Sequence, residues 1–250
     1  LMKTVDAKEG IIVIKEGKQE IYEKLVDKAS SFSNIKILQV KDEYPAGWEK
    51  QVVYRAVKRS YENLPFECGV IVNNVATAAA VSHAIRTGMP LIERIVTVTG
   101  EAISKPSNYR VRIGTLANEL VELSGGIVDT FKEVRLIAGG PMMGIAQKSD
   151  DFVISETNSA ILLLGGISNI RDEQPCVRCG TCVFHCPAGL QPTLLRTASL
   201  AKDEKLLGKL DVTKCVDCGT CAYVCPSHIN VNEAIKKGKT YFNNRKKTKK

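Results

Sequence analysis

Two cysteine runs constrain this chain more than any other feature. The first reads Cys176-Val-Arg-Cys179-Gly-Thr-Cys182-Val-Phe-His-Cys186-Pro187, and the second Cys215-Val-Asp-Cys218-Gly-Thr-Cys221-Ala-Tyr-Val-Cys225-Pro226. Both follow the spacing C-x2-C-x2-C-x3-C-P, the pattern of proteins that hold two 4Fe–4S clusters. Two-residue gaps let one tight loop aim three thiolates at three corners of an iron–sulfur cube, and Gly180 and Gly219 let backbone approach the sulfides closely. In this pattern the fourth cysteine of each run ligates the other cluster. The expected ligand sets are therefore Cys176, Cys179, Cys182 and Cys225 for one cluster, and Cys215, Cys218, Cys221 and Cys186 for the second. A pair of structural zinc sites is the competing reading. Zinc favours two C-x2-4-C pairs with four ligands per ion, which a third cysteine, a fourth at x3 and a proline do not suit. His185 and His228 are read as surface residues, because each cluster already has four thiolates.

Composition narrows the class. The chain has 250 residues, 44% of them apolar, which is enough for a large domain or several small ones. Its longest apolar run, Ala160 to Gly166, is far short of the roughly 18 residues of a membrane span. Clustered cysteines without a signal peptide point to a reducing compartment and to metal rather than disulfides. The ninth cysteine, Cys68, reads as a small buried core residue. Leucine at position 1 suggests a fragment whose natural start is missing. The net charge of +8 is uneven: Lys236, Lys237, Lys239, Arg245, Lys246, Lys247, Lys249 and Lys250 leave the remainder neutral. Such a block usually forms a solvated, disordered tail, with an anionic membrane face as the alternative contact. No recognisable reader domain accompanies it, so nucleic acid is not expected as a partner.

Residues 11–90 read as alternating strands and helices. Strands are expected at Ile11–Ile14, Ile35–Val40 and Cys68–Asn73, and helices over about 19–30, 48–60 and 75–87, the last ended by Gly88. That alternation argues for a parallel α/β sheet. Residues 92–148 change to a small α+β unit: strands at Ile95–Thr99, Tyr109–Ile113 and Val134–Ile137, and a helix capped by Thr115 and stopped by Gly125-Gly126. Between the cysteine runs, Pro192, Leu194, Leu195, Ala198, Leu206 and Leu207 suggest helical packing, and a further helix is expected at about Asn232–Lys239. Asn74, between a strand and a helix, reads from the residues alone as an ordinary N-cap. Strand ends and helix starts in open sheets are also where ligands bind.

Read in order, Tyr44-Pro-Ala-Gly-Trp-Glu-Lys-Gln51, Asn73-Asn-Val-Ala-Thr77, Val96-Thr-Val-Thr-Gly-Glu101, Gly139-Gly-Pro-Met-Met-Gly144 and the two cysteine runs resemble the C subunit of the Rnf complexes, membrane-bound ferredoxin:NAD+ oxidoreductases coupled to ion transport. The α/β part is similar to the FMN-carrying, NADH-oxidising subunit of respiratory complex I. The resemblance implies five segments: 1–91, part of an FMN/NADH-binding-like α/β domain; 92–148, an SLBB domain of ubiquitin-like β-grasp form; 149–170, a linker; 171–240, a mainly helical two-cluster ferredoxin-like domain; and 241–250, a basic tail. It implies that Tyr44, Gly47, Glu49, Asn73, Asn74 and Thr77 line the flavin and nucleotide cleft, Tyr44 being equally readable as a packing residue. The family's glycine-rich flavin and nucleotide loop lies upstream of Leu1, and no G-x-G-x-x-G occurs in this chain, so FMN is expected in the full-length protein.

The function implied is electron transfer between an FMN/NAD(H) site and partner subunits of a membrane complex through the two clusters, with the chain peripheral on the cytoplasmic side of the membrane and a ferredoxin or ferredoxin-like carrier as a further partner. No catalytic residue is assigned. A flavin/iron–sulfur reductase of cobalamin and a flavin-free electron-transfer adaptor are the alternatives. The loops differ in charge, Arg178 standing where the second has Asp217. A nearby cation stabilises a reduced cluster and an anion opposes it, so the cluster beside Arg178 is expected to have the higher potential.

Overall fold

The computed structural model describes residues 1–166 and 172–248, with side chains through Arg245. The end of the expected linker (167–170), the first residue of the expected cluster domain (171), and Lys249 and Lys250 lie outside the described residues. The chain divides into two units, Leu1–Pro90 and Leu91–Lys250.

In the first unit, β1 (Gly10–Lys15) and β2 (Ile35–Val40) pair in parallel, Gly10 opposite Ile35 through Lys15 opposite Val40. Parallel neighbours need a crossover, and α1 (Gln19–Ala29) supplies it. Then come α2 (Glu49–Val57) and α3 (Val75–Thr87), the latter closed by Gly88 at φ 73°. Val53, Tyr61 and Cys68 form a small core with Val57, Val70 and Val72. Cys68 is the buried residue expected, its thiol facing the Ser60 carbonyl at 3.3 Å. The strand expected at Cys68–Asn73 is not formed. Pro65–Cys68 is a 3-10 turn, and the Glu67 carboxylate gathers the amides of Glu62, Asn63 and Leu64. A proline without an N–H and a carboxylate that takes three amides favour a local turn over a ladder.

The second unit opens with a five-stranded mixed sheet: β3 (Glu93–Thr99), β4 (Ser107–Arg112), β5 (Val134–Ala138), β6 (Ile145–Gln147) and β7 (Ala160–Gly165), in the spatial order β4-β3-β7-β5-β6. β7 runs parallel to β3 and antiparallel to β5. α4 (Ala117–Leu123) packs Ala117, Leu120 and Val121 against Val96, Val98, Ile161 and Leu163. Leu116 precedes α4 without a side-chain cap, so Thr115 does not cap it as expected. The larger correction is β7, which falls inside the segment 149–170 expected to be a linker. Its sequence Ala-Ile-Leu-Leu-Leu-Gly has no alternation because the strand is central, and Ile161 and Leu163 are at most 1% exposed.

The cysteine-bearing part is helical. α5 (Thr181–Phe184) and α8 (Thr220–Tyr223) are single turns within the two runs. α6 (Pro192–Leu200), with proline as its first residue, and α7 (Glu204–Lys209) connect them, and α9 (Val231–Thr248) follows. Leu195, Ala198, Leu207, Val212, Ile229, Val231, Ile235 and Phe242 fill the core. α9 passes through the segment expected to be a disordered basic tail. Val231, Ile235 and Phe242 recur at helical spacing and are buried, which holds the helix down beyond the point where the cations begin. Among the described residues, no helix is long and apolar enough to cross a membrane.

The closest approach of α6 and α9 is at Gly238, where a Cβ would lie inside the Ser199 side chain and 3.1 Å from the Ser199 Cα. Gly238→Ala is expected to cost about 1–3 kcal/mol, the usual penalty for overpacking an interior. Urea unfolding followed by helical circular dichroism checks this, and adding Ser199→Gly should recover part of the loss. An unchanged midpoint would mean that the helices separate without penalty.

Candidate metal centres

The two runs share one backbone path. Arg178 and Asp217, each two residues after the first cysteine of its run, have φ of 57° and 55°, and Gly180 and Gly219 have φ of 77° and 79°. These left-handed positions turn each loop so that its third cysteine enters a helical turn. That places Cys182 and Cys221 in the interior, at 8% and 9% exposure. Cys176 and Cys179 are exposed, and Cys186, Cys215, Cys218 and Cys225 are half-buried.

The neighbours of the two buried thiols are exchanged between runs. Burial raises the Cys182 thiol, and Cys179 and Cys225 act in the same direction. Burial pushes Cys221 up to about 12, with Cys215, Cys218 and Cys186 adding to the effect. Repulsion of this kind requires proximity, so Cys225 stands with the first run and Cys186 with the second. Cys186, Cys215, Cys218 and Cys221 border one pocket of about 360 Å³ including its mouth, closed by Pro192, Leu195 and Ile235. Among the described residues, no three His, Cys, Asp or Glu side chains converge on a single-ion point. The four thiols of this pocket ring a space instead, as a cube with one thiolate per iron requires, and four soft sulfur donors suit iron–sulfur chemistry. His185 and His228 are both exposed.

Three contacts explain why Cys225 reaches the first run. The Gln174 amide donates to the Ser227 carbonyl (2.9 Å), the Ser227 hydroxyl to the Pro175 carbonyl (3.0 Å), and the Asn230 amide to Glu173 (2.7 Å). The segment entering the first run is thereby tied to the segment leaving the second.

Sequence reasoning missed the polar partners of the sulfurs. The Thr181 hydroxyl lies 3.2 Å from Cys179 Sγ and holds that thiol below its ordinary range, and Thr220 lies 3.3 Å from Cys218 Sγ. The Leu190 amide donates to Cys186 Sγ at 3.4 Å. The repeated Cys-Gly-Thr-Cys was the available signal, since a hydroxyl directly after the left-handed glycine falls beside the preceding sulfur. Donors to sulfur stabilise thiolates and tune a bound cluster.

The six residues expected at a flavin cleft all lie in the first unit and are exposed. Tyr44, joined to Pro45 by a cis peptide, and Gly47 precede α2, which Glu49 opens. Glu49 is engaged within the unit, accepting from the Tyr61 hydroxyl at 2.5 Å, and burial together with Glu49 raises the Tyr61 phenol. Asn73 and Asn74 precede α3, and the Asn74 side chain accepts from the Ala76 amide at 2.8 Å, the N-cap read from sequence. Thr77 lies in the first turn of the same helix. These polar residues at two helix starts fit hydrogen bonding to a phosphate-bearing or heteroaromatic group.

The comparisons with known proteins follow the same division. Residues 1–83 match the Nuo51 FMN-binding domain, 95–146 the SLBB domain and 175–230 the 4Fe-4S dicluster domain. The chain is 36% identical over 200 residues to the C subunit of the proton-translocating ferredoxin:NAD(+) oxidoreductase complex of Clostridium ljungdahlii, covering 78% of this chain and 43% of that one. It is 35% identical over 194 residues to the Na(+)-translocating counterpart of Acetobacterium woodii, covering 76% and 43%. To the C subunit of the ion-translocating oxidoreductase complex of Rhodobacter capsulatus it is 36% identical over 208 residues, covering 81% and 40%. The chain thus spans less than half the length of these relatives.

The exchanged neighbours generate a test. Cys186→Ala is expected to abolish the EPR signal of the cluster on Cys215, Cys218 and Cys221 and to leave the other in place, and Cys225→Ala to do the reverse. Loss of the signal belonging to the altered cysteine's own run, with the other preserved, would refute the exchange.

Proposed function

We propose that the chain, which over the residues it spans belongs with the C subunits of ion-translocating ferredoxin:NAD(+) oxidoreductase complexes, carries electrons between an FMN/NAD(H) site and partner subunits of such a membrane-associated complex. The observation that carries this reading is the exchange of the fourth cysteines: Cys186 of the first run lines one pocket with Cys215, Cys218 and Cys221, and Cys225 of the second stands near Cys179 and Cys182. Cys176, Cys179, Cys182 and Cys225 would hold one 4Fe–4S cluster, and Cys215, Cys218, Cys221 and Cys186 the other. When bound, the clusters supply one-electron carriage and FMN the conversion between hydride and single electrons.

The chain's own residues provide the setting. Thr181 and Thr220 lie beside sulfur, and the Leu190 amide donates to it. Leu195 and Ile235 give the second site part of its apolar lining. Tyr44, Gly47, Glu49, Asn73, Asn74 and Thr77 would line the flavin and nucleotide side, with the Tyr61 hydroxyl fixing the Glu49 carboxylate. The SLBB domain is read as a β-grasp module, supported by the strand order second-first-fifth-third-fourth and the packed α4. Ferredoxin and NAD(H) are the electron partners, a reading supported by the names of the relatives. A peripheral place on the cytoplasmic face of the membrane is supported by Lys236, Lys237 and Arg245 on α9, which suit an anionic lipid surface.

Anaerobically prepared protein is expected to contain about eight iron and eight acid-labile sulfide per chain. Chemical analysis checks this, and about four iron or stoichiometric zinc would overturn the two-cluster reading. Flavin extraction from the full-length protein should release FMN. Two clusters without flavin would favour the adaptor function instead.

A further inference from the structure

The second cysteine run carries an acid at Asp217 where the first carries Arg178, and from sequence that acid lowers the potential of the neighbouring cluster. The structure supplies a counter-charge. Lys239 of α9 extends into the second loop, its Nζ donating to the Cys215 carbonyl at 2.5 Å and lying 3.4 Å from Asp217 Oδ2. Asp217 itself is within 3.6 Å of Cys215 Sγ. Both side chains are mostly enclosed, at 24% exposure for Lys239 and 30% for Asp217.

The surroundings of the two loops reinforce the difference. Beside Gly180, nothing lies within 4 Å of the place a Cβ would take. Beside Gly219, a Cβ would be 3.1 Å from the Met142 carbonyl oxygen, because the Gly139–Gly144 segment packs over the second loop. Arg178 is exposed, and among the described residues no ion pair joins it. A charge in water is screened, whereas one held against an enclosed loop is screened much less. Position along α9 is also fixed: Gly238, the preceding residue, makes the tight crossing with Ser199.

We propose that Lys239 is a positioning residue that sets the potential of the cluster held by the second run, cancelling the charge of Asp217. The inference rests on the two-cluster reading above. A cluster becomes one unit more negative when it takes up an electron, so a cation on its ligand loop favours the reduced form and an anion opposes it. With both present the net bias is small. Removing the lysine leaves Asp217 as an uncompensated anion beside Cys215, and the second cluster then holds its electron less readily. Removing the acid leaves the cation alone and has the opposite effect.

EPR-monitored potentiometry of the anaerobically purified chain tests this, the second cluster being identified by the signal lost in Cys186→Ala. Lys239→Gln is expected to lower its midpoint by about 59 mV, a tenfold shift in electron sharing toward the first cluster. Asp217→Asn is expected to raise it, and the double variant to lie near wild type, with the first cluster's midpoint unmoved throughout. Lys239→Arg should retain the wild-type value, which a loss of packing would not predict. Unmoved midpoints, or shifts of the same sign in both single variants, would overturn the assignment. If Lys239→Gln fails to retain the cluster, Asp217→Asn decides alone: a rise supports the proposal and no change overturns it. Absence of the second signal in wild-type protein overturns the two-cluster reading instead.

Discussion

Much of the cysteine-bearing part depends on one constraint: the segment entering the first run and the segment leaving the second, far apart in sequence, are held side by side. The chain meets it by closing on itself. Glu173, Gln174 and Pro175 at the entrance bond to Ser227 and Asn230 at the exit. The helices between the runs, α6 and α7, bury Leu195, Ala198 and Leu207 in the same core as Cys182 and Cys221. This core is small, and part of its interior surface is cysteine. Cluster binding and folding of this part are therefore expected to be strongly coupled, as in other metal-holding domains of this size.

Legibility from sequence follows locality. The cysteine spacing, the β2 and α3 boundaries, the Gly88 stop and Pro192 at the head of α6 all depend on residues a few positions apart, and each is readable. The strand expected at Cys68–Asn73 fails because its apolar run is governed by Pro65 and Glu67 just before it, which make a turn. β7 shows in the sequence only as the longest apolar run. Its place between β3 and β5 comes from partners elsewhere in the chain, and no local pattern names them. The helix expected at about Asn232–Lys239 is there, but the basic block conceals its continuation to Thr248, since the charges are conspicuous and the buried Phe242 is not.

The candidate sites show the same division. The expected thiol sets rest on a spacing pattern whose chemistry is specific, and the Thr181 and Thr220 contacts are within reach of the repeated Gly-Thr. Lys239 lies beyond it. Counted with the tail it belongs in solvent, whereas the helix carries it back to Cys215. Charge comparisons between the loops are misleading until the residues packed from other elements are included. The six flavin-side residues show the limit from the other direction: all are present and exposed at two helix starts, while the relatives they resemble are more than twice as long as the stretch this chain spans.

The central position of β7 also bears on synthesis. Thr97 pairs with Ala160, and Ala138 with Ile161. The sheet therefore stays open, with the inner edges of β3 and β5 unpaired, until residues near 165 have left the ribosome. The first cysteine of the first run follows only about ten residues later. A chain made from its N-terminus, with domains folding as they emerge, can close the sheet just as its thiols become available to the machinery that delivers iron and sulfide. The exposed strand edges, which invite pairing with other chains, are then covered before the slower assembly of the metal sites begins.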